Sequence, residues 1–300
     1  MVPAIPLPSL SRLSRHSSQG QALGLYTTHP RCASYTRLVS ATTPLAEPPT
    51  QQYLLTMTAT VIPAAEASVQ RSDPLVRLED YKQALRFWLR YPHPAAGRIL
   101  LLENSGADLA DLHCIAATEN PLAKPVEILS IPGNVIPSGR NYGYTEMQLL
   151  DAGLARSRLS RETTHLIKVT GRLTFPTIGR ALDLTPTPFD VLIDFRKLGF
   201  PRRGFDAHTQ VFVVSHAFYD RVLRDSREEM NATDIRLLEH LLAHKIAPFR
   251  GQPGIHLRFP CNVEPVGVSG FSARSYNSPG KAVTHATRAL LRRLAPDFWF

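Results

Sequence analysis

The chain has 300 residues, of which 43% are hydrophobic and 20% charged, an ordinary globular composition that supports one sizeable domain or two small ones. Its 34 Lys and Arg outnumber its 25 Asp and Glu, giving a net charge of +9 that favours anionic partners such as nucleotides, polyanions or acidic membranes. Its three cysteines are far apart and lack metal-ligand spacing, which argues against a disulfide framework or a zinc site and favours a reducing compartment.

Residues 1–72 differ in composition from the rest of the chain. They are rich in Ser, Thr, Pro, Ala and Arg, with a single acidic residue before Met57. No apolar run there approaches the roughly 20 residues that span a bilayer, and no secretion signal is evident. We predict a disordered extension, or upstream sequence before a start at Met57, because prolines interrupt the amphipathic helix that the third alternative, an organelle targeting segment, would need. The folded domain is then predicted at 73–300.

The remainder alternates between helical and strand-like patterns. Apolar residues recur every three or four positions from Leu78 to Leu89, which predicts a helix, and a compact apolar strand follows. Strands are predicted at 99–102, 165–170, 189–195 and 210–214, and further helices from near residue 144 to 154 and at 233–244 and 282–294. Strands that alternate with helices predict an α/β domain, with a mostly parallel, Rossmann-like sheet flanked by helices.

A polar turn follows the first of these strands and begins with Glu103, Asn104 and Ser105. In open α/β sheets, ligands bind beyond the carboxyl ends of the strands. These side chains are therefore predicted to contact the base or ribose of a nucleotide. A turn that only satisfies backbone groups and caps the next helix is the alternative.

The loop before the second helix carries Gly139, Arg140 and Gly143. Glycines and a cation at the start of a helix can present backbone N–H groups to an anion. The loop lacks the Lys-Ser/Thr ending of a P-loop and the spacing of the dinucleotide fingerprint. We predict that it contributes to donor binding.

The strand at 165–170 runs into Lys168, Thr170, Gly171 and Arg172. Glycine allows close approach of the backbone, and the two cations favour an anion. This segment predicts a phosphate-binding site, and a strand end with solvated basic residues is the alternative.

The order of these motifs resembles a family of bacterial glycosyltransferase-like proteins of surface-polysaccharide biosynthesis. The resemblance covers about residues 78–294. It continues through Asp194-Phe195-Arg196, Thr209-Gln210-Val211-Phe212, Phe218-Tyr219, Leu238-Glu239 and Val268 to Ser272 with Tyr276. It implies a GT-A-like fold, a nucleotide-sugar donor, and a saccharide or lipid-linked acceptor.

The resemblance departs from the GT-A pattern in one respect that concerns metal binding. GT-A enzymes commonly place Asp-x-Asp at the tip of a central strand to hold a divalent metal, whereas this chain has Thr170-Gly171-Arg172. We therefore hypothesise transfer without a metal cofactor, in which Lys168 and Arg172 offset the charge of the leaving diphosphate. The alternative is that Mg²⁺ or Mn²⁺ binds to a separate set of side chains. These would be Asp190, Asp194, Asp206 and His208.

An inverting transfer also needs a general base for the acceptor hydroxyl. Asp194, Asp234 and Glu239 are the candidates, together with Asp206. A first-turn carboxylate such as Asp234 can instead interact with the helix dipole. Further along the chain, a Ser- and Gly-rich loop with Ser269 and Arg274 is predicted to cover the donor, and a simple surface turn is the alternative.

Basic residues near the C-terminus precede Phe298-Trp299-Phe300. This pattern predicts peripheral contact with an anionic membrane at its cytoplasmic face, where lipid-linked acceptors reside, and packing of the aromatic rings onto the domain is equally compatible. Two other functions stay open. One is a basic nucleic-acid-binding protein, although no binding motif is present and the cations are spread out. The other is a non-catalytic nucleotide- or carbohydrate-binding protein.

Overall fold

The computed structural model describes residues 51–67, 69–196, 206–276, 280 and 285–290. The predicted disorder of the first 50 residues and the C-terminal aromatic cluster lie outside the described residues. Within the predicted C-terminal helix, residues 285–290 are helical. No helix among the described residues is long and apolar enough to cross a membrane.

A seven-stranded sheet forms the centre of the fold. In chain order its strands are β1 (Tyr53–Ala59), β2 (Ile99–Glu103), β3 (Val126–Ser130), β4 (His165–Thr170), β5 (Val191–Leu192), β8 (Val211–Ser215) and β9 (Ile255–His256). Their spatial order is β3-β2-β1-β4-β8-β5-β9. Strands β1 to β4 are mutually parallel, and β8 runs antiparallel to both β4 and β5. A separate two-stranded ribbon pairs β6 (Phe195–Arg196) with β7 (Asp206–Ala207).

Helices cover both faces of the sheet. They are α1 (Pro74–Arg90), α2 (Ala110–Thr118), α3 (Tyr142–Arg156), α4 (Arg158–Arg161), α5 (Ile178–Asp183), α6 (His216–Phe218) and α7 (Leu238–Ile246), with shorter turns between them. Alternate residues of the strands enter opposite cores: Leu55 and Met57 pack with α1, whereas Leu54 packs on the side of α3 and α7. The predicted α/β class, with a mostly parallel sheet flanked by helices, is confirmed.

The predicted domain boundary at residue 73 is wrong, because β1 lies before it and is the third strand of the seven. Leu54, Leu55 and Met57 are fully buried in this strand, and β1 pairs with both β2 and β4. The strand has only seven residues, two of which are the threonines at positions 56 and 58. So short a pattern is hard to recognise beside a long Ser- and Pro-rich segment.

Two other predicted elements also differ from the structure. The strand predicted at 189–195 divides, because the chain leaves the main sheet after Leu192 and Phe195 pairs with Ala207. The helix predicted from residue 233 begins only at Leu238. Asn231 accounts for the delay: its side-chain oxygen accepts hydrogen bonds from the backbone N–H groups of residues 233, 234 and 235, which form a turn.

The position of β1 gives a stability prediction. Leu55→Ala should lower the free energy of unfolding by about 2–5 kcal/mol, because it opens a cavity in a fully buried strand. Leu75→Ala is the matched control, since Leu75 is 78% exposed, and it should be nearly neutral. Denaturant unfolding measures both variants. Equal stability of the two would mean that residues 53–59 are not part of the core.

Candidate functional site

A cavity of about 210 Å³ opens at the carboxyl ends of three parallel strands. Thr58 comes from β1, Asn104 follows β2, and Thr170 ends β4. Residues of α1, of α3, and of the loop with Ser269 and Phe271 complete the lining. This edge of an α/β sheet is where ligands bind.

Gly171 lets the chain turn from β4 into the cavity. Its backbone N–H donates to the carbonyl oxygen of Thr58 at 2.9 Å, and a Cβ at this position would lie only 2.6 Å from the same oxygen. Any side chain would therefore push β1 and β4 apart. Gly171 is required for packing, and the next residue, Arg172, lines the cavity.

Arg172 and Arg77 give the cavity a positive wall. Burial lowers the pKa of Arg172, and nearby Arg77 acts in the same direction, against opposing contributions from Tyr81 and other groups. A guanidinium remains charged despite such a shift. Its Nη1 donates to the carbonyl oxygen of Val268 at 2.7 Å, and Arg77 donates to the carbonyl oxygen of Thr60 at 2.8 Å. Two charges bound to neutral oxygens favour an anionic ligand.

Lys168 lies beneath the cavity and does not line it. Its side chain is fully buried. The ammonium Nζ lies 2.7 Å from Oε1 of Glu146 and donates to the carbonyl oxygen of Thr209 at 2.7 Å. Because β4 alternates its side chains, Lys168 points to the face that α3 covers. Its charge is offset by Glu146, so the structure does not bring it together with Arg172 as a free phosphate ligand.

Two carboxylates line the cavity, Glu146 on α3 and Glu239 on α7. Burial alone would raise the pKa of Glu146, but Lys168, together with the Thr58 hydroxyl at 2.7 Å, holds it below its usual value. Oε1 of Glu239 accepts a hydrogen bond from the hydroxyl of Thr209 at 2.8 Å. Lys168 and Thr209 therefore connect both carboxylates beneath the cavity.

Tyr142 lies among these charges at the start of α3. Burial, with added contributions from Glu239 and Glu146, raises its pKa to about 12. Its hydroxyl therefore stays protonated at neutral pH. On the opposite side, Gln210 donates to the hydroxyl of Tyr276 at 2.5 Å, which adds neutral polar groups to the lining.

Of the predicted base-binding turn, only Asn104 lines the cavity. Glu103 is fully buried, and its carboxylate accepts hydrogen bonds from the backbone N–H groups of Val61, Ser105 and Gly106 at 3.1, 2.8 and 2.9 Å. The Ser105 hydroxyl donates to the same carboxylate. Glu103 and Ser105 therefore join two loops. Asn104 is the residue of this turn that lines the cavity, and its side-chain oxygen accepts from the hydroxyl of Thr60 at 2.6 Å.

The loop at 139–143 serves mainly to start α3 and to pack it. The side chain of Asn141 caps the helix by accepting from the N–H of Gly143 at 3.0 Å. A Cβ on Gly143 would lie 2.8 Å from Cβ of Leu238, so this glycine allows α3 and α7 to touch. Gly139 has a φ of +75°, which suits a turn glycine. Arg140, stacked on Tyr144 at 5.5 Å, lies outside the main cavity.

The remaining predicted residues are dispersed. Ser269 lines the cavity, whereas Arg274 is exposed in the same loop and outside the lining. Asp194 is buried and accepts from the N–H of Phe259 at 2.9 Å, away from the cavity. Asp234 is exposed in the turn before α7. Of the predicted bases, Glu239 is the one that reaches the cavity.

Sequence reasoning missed Arg77, Glu146 and Tyr142. Arg77 occupies the apolar face of α1, where a buried cation is itself an unusual signal. Glu146 lies four residues before buried Leu150 and therefore on the same helical face. A carboxylate at that spacing is the signal in the sequence that could have identified it.

The cavity does not fit a divalent metal site of the acidic type. Its two carboxylates are Glu146, which is paired with Lys168, and Glu239, and cationic Arg172 stands at the end of β4. Across the described part of the chain, no group of three or more His, Cys, Asp or Glu residues could hold a metal ion. The alternative metal set does not assemble, because Asp190 accepts from Ser215 whereas Asp194 and His208 have other partners.

No family model and no curated protein matches the sequence. Distant similarity is found to solved structures. An active-site mutant of LgtC is 11% identical over 68% of this chain and 71% of its own, with a TM-score of 0.43. The mannosyltransferase PcManGT from Pyrobaculum calidifontis, in complex with GDP-Man and Mn²⁺, is 11% identical over 83% and 66%, with a TM-score of 0.43.

A putative glucose-1-phosphate thymidylyltransferase from Bacillus anthracis is 8% identical over 83% of this chain and 97% of its own, with a TM-score of 0.40. Similarity at these TM-scores carries no inference about activity.

The pair of Lys168 and Glu146 gives a prediction about stability. Lys168→Met should lower the free energy of unfolding at pH 7 by about 2–3 kcal/mol. This is less than the roughly 3–5 kcal/mol of a fully buried pair, because the Glu146 side chain is 20% exposed. The same substitution in a Glu146→Gln background should cost less, since no unpaired carboxylate is left. An equal cost in both backgrounds would refute the coupling.

The same pair predicts a pH dependence. The pKa of Glu146 in the folded chain lies below its ordinary value of 4.5. The pair therefore contributes its full stability above that pH and loses it as the pH falls through the folded value. In Lys168→Met, protonation of Glu146 instead relieves the burial penalty. The difference in the free energy of unfolding between wild type and Lys168→Met should therefore become smaller as the pH falls. Denaturant unfolding at several pH values measures it.

Proposed function

We propose that the chain is a GT-A-like glycosyltransferase that moves a sugar from a nucleotide-sugar donor to an acceptor hydroxyl. The observation that carries the proposal is the position of Arg172, which follows β4 and lines the cavity. A second cation, Arg77, and a carboxylate, Glu239, line the same cavity. A positive wall suits a diphosphate, and a carboxylate in the same cavity suits deprotonation of an acceptor. The order of strand-end motifs in the sequence supports the same class.

Arg172 is assigned the leaving diphosphate. As the bond between the anomeric carbon and the diphosphate oxygen breaks, negative charge grows on that oxygen, and a fixed guanidinium stabilises it without reorganisation. Arg77 raises the positive potential of the same wall. Lys168 is withdrawn from this role, since Glu146 offsets its charge. The sequence predicted that two cations, Lys168 and Arg172, offset the charge of the leaving diphosphate in place of a metal. Of these, Arg172 alone keeps that role in the proposal.

Glu239 is assigned the general base of an inverting transfer. One of its oxygens accepts from Thr209, and the other oxygen takes the proton of the acceptor hydroxyl while the acceptor oxygen bonds to the anomeric carbon. Lys168 acts as a positioning residue, because it fixes the backbone of Thr209. The acceptor that we propose is a saccharide or a lipid-linked saccharide of surface-polysaccharide synthesis, met at the cytoplasmic face of an anionic membrane.

Donor binding tests the first part of this assignment. Thermal shifts against UDP-, GDP-, CMP- and dTDP-sugars should reveal one that raises the melting temperature. Arg172→Ala should weaken that binding at least about tenfold, because it removes a charge-assisted contact to phosphate. Arg180→Ala, at an exposed position on α5, is the charge-matched control and should bind normally. Chelator should change neither binding nor transfer, and strict dependence on Mg²⁺ or Mn²⁺ would refute metal-free transfer.

Transfer itself tests Glu239. Glu239→Gln should lower the rate of transfer about 10²–10⁴-fold while nucleotide-sugar binding is retained. Asp234→Asn is the control, since Asp234 is exposed and lies outside the cavity, and its rate should match wild type. Donor binding without any hydrolysis or transfer in the wild-type chain would instead identify a non-catalytic nucleotide-binding protein. Binding to DNA that is lost steeply with salt, without donor binding, would favour a nucleic-acid-binding protein.

A further inference from the structure

A second pocket lies beside the main cavity, between the loops at 139–141 and 231–237. It is open and measures about 460 Å³. The two loops converge because each leads directly into a helix, α3 or α7, and these helices touch where Gly143 leaves no room for a Cβ against Leu238. The second pocket is therefore a product of the same packing that positions the main cavity.

The two sites flank one junction of the chain. Tyr142 and Glu239 line the main cavity, whereas Asn141 and Leu237, one and two residues earlier in their segments, line the second pocket. A molecule that occupies the second pocket is thus close to the carboxylate assigned as the general base. Arg172, where the donor diphosphate is proposed to lie, lines the main cavity and not the second pocket. The second pocket, which adjoins the segment that carries Glu239, is therefore the candidate for the acceptor side.

The charge of the second pocket is positive. Arg140 and Arg236 both line it, and no acidic residue does. Among the described residues, Arg236 has no ion pair or hydrogen bond, and the guanidinium of Arg140 contacts only the ring of Tyr144. Arg140 is half-buried and Arg236 is exposed. The two guanidinium groups repel each other, and an anion between them would offset that repulsion.

Among the described residues, no neighbouring carboxylate forms an ion pair with Arg140 or Arg236. Glu228 accepts from the hydroxyl of Tyr144 at 2.8 Å, and Glu229 pairs with Lys245 at 2.7 Å. Asp234 is exposed, lies outside the lining and accepts from the hydroxyl of Thr233 at 3.3 Å.

The amides of the second pocket also present donors. The side-chain oxygens of Asn141 and Asn231 already accept from backbone N–H groups. The NH₂ group of Asn231 donates to the carbonyl oxygen of Glu229 at 3.3 Å and retains one further N–H. That N–H and the NH₂ group of Asn141 are the donors that remain for a ligand, and such donors beside guanidinium groups match the oxygens of a phosphate. A neutral sugar would leave both arginines without a counter-charge.

We propose that the second pocket binds a phosphate group of the acceptor, through Arg140 and Arg236. The acceptor is then a phosphorylated saccharide, either free or carried on a lipid phosphate, with its hydroxyl directed at Glu239. The assignment to an acceptor rests on the proposed glycosyltransferase function. Binding of phosphate in the second pocket does not, and it can be measured without a donor.

The experiment measures binding of inorganic phosphate to the full chain by calorimetry, at constant ionic strength in chloride. An Arg77→Ala/Arg172→Ala background, called the double-variant background below, removes both cations of the main cavity. In that background phosphate should still bind, and Arg140→Gln or Arg236→Gln should weaken it at least tenfold. Arg180→Gln is the matched control and should leave binding unchanged. Absence of binding in the double-variant background, or binding that is indifferent to both substitutions, would overturn the proposal.

Two further probes identify the source of the phosphate. Competition by glucose 1-phosphate that depends on Arg236 supports a free phosphorylated saccharide. Retention on vesicles of phosphatidic acid but not of phosphatidylcholine, again dependent on Arg236, supports a lipid-borne phosphate. If neither probe binds although inorganic phosphate does, the acceptor assignment is overturned. Failure of the glycosyltransferase proposal is a separate result, since it shows as absent donor binding and transfer.

Discussion

The buried contact between Lys168 and Glu146 is the interaction on which the site depends. It ties the central strand β4 to α3 directly under the cavity, and Lys168 also holds the backbone of Thr209, which precedes β8. An ion pair in such a place costs desolvation energy and is retained only with good geometry and further hydrogen bonds. The hydroxyls of Thr58 and Thr209 complete the network by binding Glu146 and Glu239.

This network divides the charges of the cavity into two roles. Lys168 acts inside the protein. Its ammonium group keeps Glu146 ionised, and through Thr209 it helps to orient Glu239. Arg172 faces the cavity, and within the part of the chain that the structure describes its hydrogen-bond partner is the backbone carbonyl of Val268. A strand end that carries two cations can therefore supply one of them to structure and the other to a ligand. Here the two differ in position, because Lys168 lies within β4 and pairs with Glu146, whereas Arg172 follows the last residue of the strand, Thr170, and lines the cavity.

The sequence predicted the class of the fold because periodicity and strand-end chemistry are local signals. It predicted Arg172, Thr170, Asn104 and Glu239 at the cavity for the same reason, since each lies at or near the end of a strand or helix. Ser269 was predicted from the composition of its Ser- and Gly-rich loop. It could not reveal that the Glu103 carboxylate accepts hydrogen bonds from three backbone N–H groups, or that Lys168 pairs with Glu146. Those outcomes depend on partners distant in the chain, which a single sequence does not identify.

The central position of β1 also determines when the cavity can form. Its pairing with β2 joins residues about 45 apart, across α1, whereas its pairing with β4 joins Thr58 to Thr170, more than a hundred residues later. Contacts so distant in sequence close slowly during folding and late during synthesis. The cavity is lined by residues from both pairings of β1, the one with β2 and the one with β4. A nascent chain that has completed the β1–β2 half therefore holds only part of the ligand-binding edge, and the arginine wall is assembled when β4 docks.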